Sequence, residues 1–191
     1  MFNMKTLVVR ALLALSLAIG AAPLALAGPT YQVTIKELPG ARFLDLQFLA
    51  LGAAEPAFAT ISNLSGALAE LQLDNATGNL ADGYTIGNDG GFNGIFFELL
   101  SAGTIRFDVN FSNAAFGDGT TFSAALLDEF GANLGGLLPL VEIALMPGAT
   151  DVLSIEESLV AVNAVPEPSD WLLVATGLFL IGAVRRRQQG R

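Results

Sequence analysis

The stretch Thr104-Ile105-Arg106-Phe107-Asp108-Val109-Asn110-Phe111 decides the fold class. In an extended chain Ile105, Phe107, Val109 and Phe111 fall on one face, and Arg106, Asp108 and Asn110 on the other. That alternation predicts a strand with one buried and one wet face, the habit of antiparallel sheets. Downstream, Asn113 and Gly117-Asp118-Gly119 read as a turn, and Thr121–Leu127 as the next strand, closed by Asp128-Glu129-Phe130-Gly131. Leu137–Leu145 and Val152–Ile155 read as two more, and Leu159–Val162 as a last short strand or the start of a linker. The adjacent acids Glu156 and Glu157 would point to opposite faces of a strand, so they make no catalytic pair.

Upstream the pattern continues. Tyr31–Lys36 and Leu44–Phe48 both alternate and are joined through Pro39-Gly40, which predicts a first hairpin. Ala57–Leu64 is a strand with Phe58 and Ile61 on opposite faces. Leu68–Leu73 fits one helical turn or a strand, and the strand is preferred. Asp74–Gly91 is rich in Asn, Asp and Gly and reads as a long loop, after which Phe92, Ile95, Phe96, Phe97 and Leu99 return to the core. About eight to ten short strands with Gly-rich turns and no long helical pattern point to a mainly β protein, an antiparallel β-sandwich or jelly roll.

Both ends of the chain differ from this body. Met1–Arg10 carries Lys5 and Arg10 and no acid, Ala11–Ala22 is apolar but for Ser16, and Ala25-Leu26-Ala27 has the small-x-small cleavage pattern. Residues 1–27 therefore read as a signal peptide cut after Ala27, with an uncleaved anchor as the alternative. Between the ends lies Gly28–Ala164, 137 residues, enough for one domain with a real core. Its three bases (Lys36, Arg42, Arg106) stand against 16 acids, a net charge of −13. Such a surface argues against nucleic acid as a partner and suits solubility or divalent cations.

The chain has no cysteine and no histidine. Cys/His zinc sites, Ser-His-Asp and Cys-His catalysis are thereby excluded, and catalysis would have to rest on carboxylates, Lys36 or tyrosine. Asp74, Asn75, Asn79, Asp82 and Asp89 offer side-chain oxygens of the kind Ca²⁺ prefers, but their spacing fits no EF-hand, and an ordinary polar loop is the preferred reading. The only tryptophan is Trp171, so the body has only Tyr31 and Tyr84 as hydroxylated aromatics for stacking on sugars, which counts against a typical lectin or carbohydrate-binding module.

The C-terminal segment, 165–191, opens with Val165-Pro166-Glu167-Pro168-Ser169, an extended breaker because each proline fixes φ and removes a donor. Trp171–Val184 follows as an uncharged, largely apolar run of 14 residues, including Gly177, and then Arg185-Arg186-Arg187. As a helix this run spans roughly 21 Å, short of a bilayer core of about 30 Å. Trp171 and the arginines extend its reach by interfacial anchoring and snorkelling, with Arg185, Arg186 and Arg187 on the cytoplasmic side. A plain membrane anchor on a Pro-rich stalk is one reading.

The other is a resemblance. The Pro-Glu-Pro site, the Trp-led apolar segment with Gly177 and the terminal arginines resemble the PEP-CTERM sorting signal, also labelled an ice-binding protein C-terminal domain. The resemblance implies export, passage through the inner membrane as a sorting intermediate, and processing by an exosortase that recognises Pro166, Glu167 and Pro168. Signal peptidase and exosortase would be the processing partners. It covers the tail alone and assigns nothing to the body. Three functions stay open: a non-enzymatic surface or matrix protein associated with exopolysaccharide or biofilm, which is preferred; an exported calcium- or glycan-binding module; and a carboxylate-based glycosidase, which needs two acids roughly 5–9.5 Å apart.

Overall fold

The computed structural model describes residues 27–112, 116–136, 138–165 and 175–177. Among them are twelve strands: β1 (Ala27–Ile35), β2 (Phe43–Ala50), β3 (Phe58–Ser65), β4 (Leu68–Asp74), β5 (Ala76–Asn79), β6 (Gly83–Gly87), β7 (Gly94–Leu99), β8 (Ile105–Ser112), β9 (Thr120–Leu127), β10 (Val141–Leu145), β11 (Val152–Ile155) and β12 (Val160–Val165). They form two six-stranded sheets, ordered β12-β1-β8-β3-β6-β5 and β11-β10-β9-β2-β7-β4. Every pairing is antiparallel.

The alternation seen in the sequence is the device that builds the core. In β8, Ile105, Phe107, Val109 and Phe111 are buried while Arg106 is exposed. In β2, Leu44, Leu46 and Phe48 point inward; in β9, Phe122, Ala124 and Leu126 do the same. Rings from the two sheets interdigitate. Phe111 of the first sheet stacks on Phe48 of the second at 5.7 Å and meets Phe122 edge-on at 5.7 Å. Two sheets sharing one such core make a β-sandwich.

Several expectations change. β1 and β2 form no hairpin. They lie in different sheets, and residues 36–42 step from one layer to the other. That connection is longer than hairpin loops usually are. The expected loop 74–91 contains β5 and β6, a hairpin of the first sheet. Its glycines are partly close-approach positions: a Cβ on Gly78 would fall 2.1 Å from the carbonyl oxygen of Gly83 across the ladder. Phe92 is 80% exposed and does not join the core, whereas Ile95 and Phe97 do. Glu156 and Glu157 sit in the turn between β11 and β12, not in a strand. There the Glu156 carbonyl accepts from the amides of Leu159 and Val160, both at 2.9 Å.

β4 and β5 are nearly one strand. Asn75 alone separates them, at φ +46°, and at this corner the chain passes from the second sheet to the first. Leu68–Leu73 is accordingly a strand. At the opposite edge β12 pairs with β1 in a register that runs from Ile35↔Val160 to Thr30↔Val165. Val165, expected to open the tail, is thus the end of the body's last strand.

Ala25, Pro166, Glu167, Pro168, Trp171, Val184, Arg185, Arg186 and Arg187 lie outside the described residues. Ala27 begins β1, and Gly177 is one of three described helical residues, 175–177. Among the described residues, no helix is long and apolar enough to cross a membrane.

Candidate functional site

The outer face of the second sheet carries a groove of about 270 Å³. Three strands build it. β2 supplies Asp45 and Gln47, β4 supplies Gln72 and Asp74, and β7 runs between them with Gly94 and Phe96. The register sets these residues in two rows, Asp45–Phe96–Gln72 and Gln47–Gly94–Asp74. The leucines between them, Leu46 and Leu73, belong to the inner side and hold the strands on the core. Asp-Leu-Gln on one strand and Gln-Leu-Asp on the other therefore place a carboxylate and an amide on each side of the groove, with their order reversed.

Each carboxylate is held by its own strand neighbour. The Gln47 amide donates to Asp45 Oδ2 at 2.6 Å, and the Gln72 amide donates to Asp74 Oδ2 at 2.7 Å. Burial pushes the Asp45 carboxyl above its ordinary pKa, and the Gln47 bond pulls it partly back. Phe96 forms the apolar part of the floor, stacked on Phe43 at 5.1 Å. Gly94 lies buried where β7 runs close against β2: a Cβ there would lie 2.5 Å from the Leu46 carbonyl oxygen. Phe92 stands at the rim.

Of the residues singled out as oxygen donors for a cation, the groove takes only Asp74. Asn79 and Asp82 cap their own turn. Asn79 Oδ1 accepts from the amides of Ala81 and Asp82, and its Nδ2 donates to Asp82 Oδ2 at 2.9 Å. Asp89 sits at the sheet-switching corner, where its carboxylate accepts from Asn75 Nδ2 at 2.7 Å. β5 divides these two groups by roughly 13 Å, four residues at about 3.3 Å each. Among the described residues, no three acids converge on one point as metal ligands would. Asp118 fixes a loop, its Oδ2 accepting from the Ala53 amide at 2.9 Å.

The two tyrosines, the hydroxylated aromatics of the body, are structural. Tyr31 and Tyr84 are buried, and each hydroxyl reaches from the first sheet to an acid on the second-sheet side of the sandwich. Tyr31 Oη donates to Asp151, just before β11, at 2.6 Å; Tyr84 Oη donates to Glu70 of β4 at 2.7 Å. Burial first, then the bonded acid, raises both phenols well above the ordinary value of 10.0. Asp151 also lines a second cavity of about 200 Å³, together with Pro29, Phe111, Thr120 and Met146.

Nothing in the sequence reading singled out Asp45, Gln47 or Gln72. Comparison of the chain with protein-family models, curated proteins and solved structures finds no match.

Proposed function

We propose that this chain is an exported, non-enzymatic β-sandwich protein of the cell surface or extracellular matrix, delivered by an exosortase-type system and associated with exopolysaccharide. The observation that supports this most directly is the pairing Thr30↔Val165. The body begins and ends side by side at one edge, next to the cut expected after Ala27 and to Pro166-Glu167-Pro168. Both processing events then act at one corner of the folded body and leave its two broad faces clear. The nested pairing of β1 with β8, β2 with β7 and β3 with β6 follows the order of a jelly roll, an architecture that lectin domains use among others. That likeness is one of fold alone.

The test is intact mass and cell fractionation of the full chain in hosts with and without an exosortase. We expect loss of Met1–Ala27 in both hosts, and loss of the Trp171–Arg191 segment only where the exosortase is present. Retention of the tail in the membrane fraction of both hosts would overturn the sorting reading and leave a membrane-tethered domain.

A further inference from the structure

We infer that the groove on the second sheet binds a neutral glycan chain, with Asp45, Gln47, Gln72 and Asp74 as hydrogen-bonding groups and Phe92 and Phe96 as the apolar surface. The proposal relies on the exported-matrix reading only for the source of the polymer.

The chemistry of the lining selects the ligand. A sugar ring has hydroxyls around its rim and C–H groups on its faces. The groove offers the complement: an aromatic floor and rim, with a carboxylate and an amide on either side. The hydrogen bonds within each pair engage Oδ2 of the carboxylate and the amide nitrogen of the glutamine. The second carboxylate oxygen and the amide oxygen are left as acceptors for hydroxyl donors, and bonds to a charged acceptor are the stronger kind. No basic residue lines the groove, and Glu98 and Glu142 lie on the same outer face. A uronate or phosphate polymer would meet like charge; a neutral polyol would not.

The shape selects a polymer over a free sugar. Across β2, β7 and β4 the groove is about 9.6 Å wide at 4.8 Å per strand, and β4 is the edge of its sheet, so that side is open. The row containing Gln47, Gly94 and Asp74 continues through Ser123 and Glu142 to Ser154 on β11. The line crosses all six strands, roughly 24 Å, with a polar side chain on every strand but β7, long enough for several sugar units.

The test is affinity electrophoresis of the purified full-length protein in native gels containing hydroxyethylcellulose, laminarin or dextran, with polygalacturonate as the charged control. We expect retardation in at least one neutral gel and none in polygalacturonate. Phe92→Ala and Gln72→Ala change exposed side chains and should leave thermal melting unchanged while weakening retardation about tenfold or more, the scale of losing one anchor. No retardation in any neutral gel would overturn the proposal. So would retardation that both variants leave intact. A retained tail together with glucan binding would sink the sorting reading and spare the groove; a processed tail without glucan binding would do the reverse.

Discussion

Tyr84→Phe removes one oxygen and tests whether the two sheets are clasped by tyrosine–acid bonds. The hydroxyl donates to Glu70 at 2.7 Å, and the ring stays packed edge-on against Phe97 at 5.5 Å, so the substitution changes polarity and little else. A hydrogen bond to a charged partner contributes about 1.5–3 kcal/mol. Glu70 is exposed and regains water when the hydroxyl is lost, which places the expected destabilisation near the low end, about 1.5 kcal/mol. For a domain of this size that corresponds to a fall in Tm of about 5 °C. The assay is thermal and urea unfolding of wild type, Tyr84→Phe, Glu70→Gln and the double variant. The cycle should return a coupling energy of about 1 kcal/mol, because contacting groups are non-additive. Tyr31→Phe, acting on Asp151 near the other edge, should add to Tyr84→Phe without coupling. The pH dependence gives a second readout. The fold favours both phenols in their neutral form, so their contribution is full below pH 10.0 and is lost above it as the unfolded phenols ionise. Replacing both tyrosines should flatten the alkaline fall in Tm. A Tyr84→Phe protein within about 0.3 kcal/mol of wild type, with no coupling to Glu70, would refute the clasp.

Asp45→Asn should raise Tm at pH 7, because burial has lifted the carboxyl above its ordinary 3.8 and its charged form works against folding. The gain should shrink as pH falls toward 3.8, which paired melts at pH 7 and pH 3.5 would reveal. Gly94→Ala should cost about 1–3 kcal/mol in urea unfolding, since its Cβ would meet the Leu46 carbonyl at 2.5 Å and β2 and β7 would have to part. Asn88→Ala should cost about 2–3 kcal/mol by the same assay. Its buried amide accepts from the Ala57 amide and donates to the Glu55 carbonyl and the Thr120 hydroxyl, and all three partners lie on other segments. Phe130→Ala, at 85% exposure, should leave stability within about 0.5 kcal/mol and serves as the control.

What the sequence disclosed, and what it hid, follows from the range of each signal. The alternation in β8, β9 and β2 is local, and it identified strands and their buried faces correctly. Which strands pair is not local. β1 and β2 looked like a hairpin because they are neighbours in sequence, yet β1 pairs with β8 and β12. The Asn- and Gly-rich stretch 74–91 read as a loop because glycine marks both turns and close backbone contacts, and here it marks both. The same ambiguity left a cation-binding loop open beside the preferred ordinary polar loop, and there the side chains cap turns and hold a corner. Tyr31 and Tyr84 gave no hint of their acid partners, 120 and 14 residues away. The groove left one trace, the reversed Asp45-Leu46-Gln47 and Gln72-Leu73-Asp74 triplets. Only the sheet order, with β7 between them, turns those triplets into a site.

The pairing of the first strand with the last also sets a clock. Thr30 and Val165 are partners 135 residues apart, so β1 lacks one neighbour until the whole body has been made. Its other neighbour, β8, begins only at Ile105. Sandwiches dominated by such distant pairings fold slowly, in milliseconds to seconds. A chain threaded through a membrane from its N-terminus would expose β1 first and β12 last. It would remain loose enough to pass through a narrow translocation channel until nearly the end. The strand that would emerge last is the one that completes the sheet, directly ahead of Pro166 in the sequence.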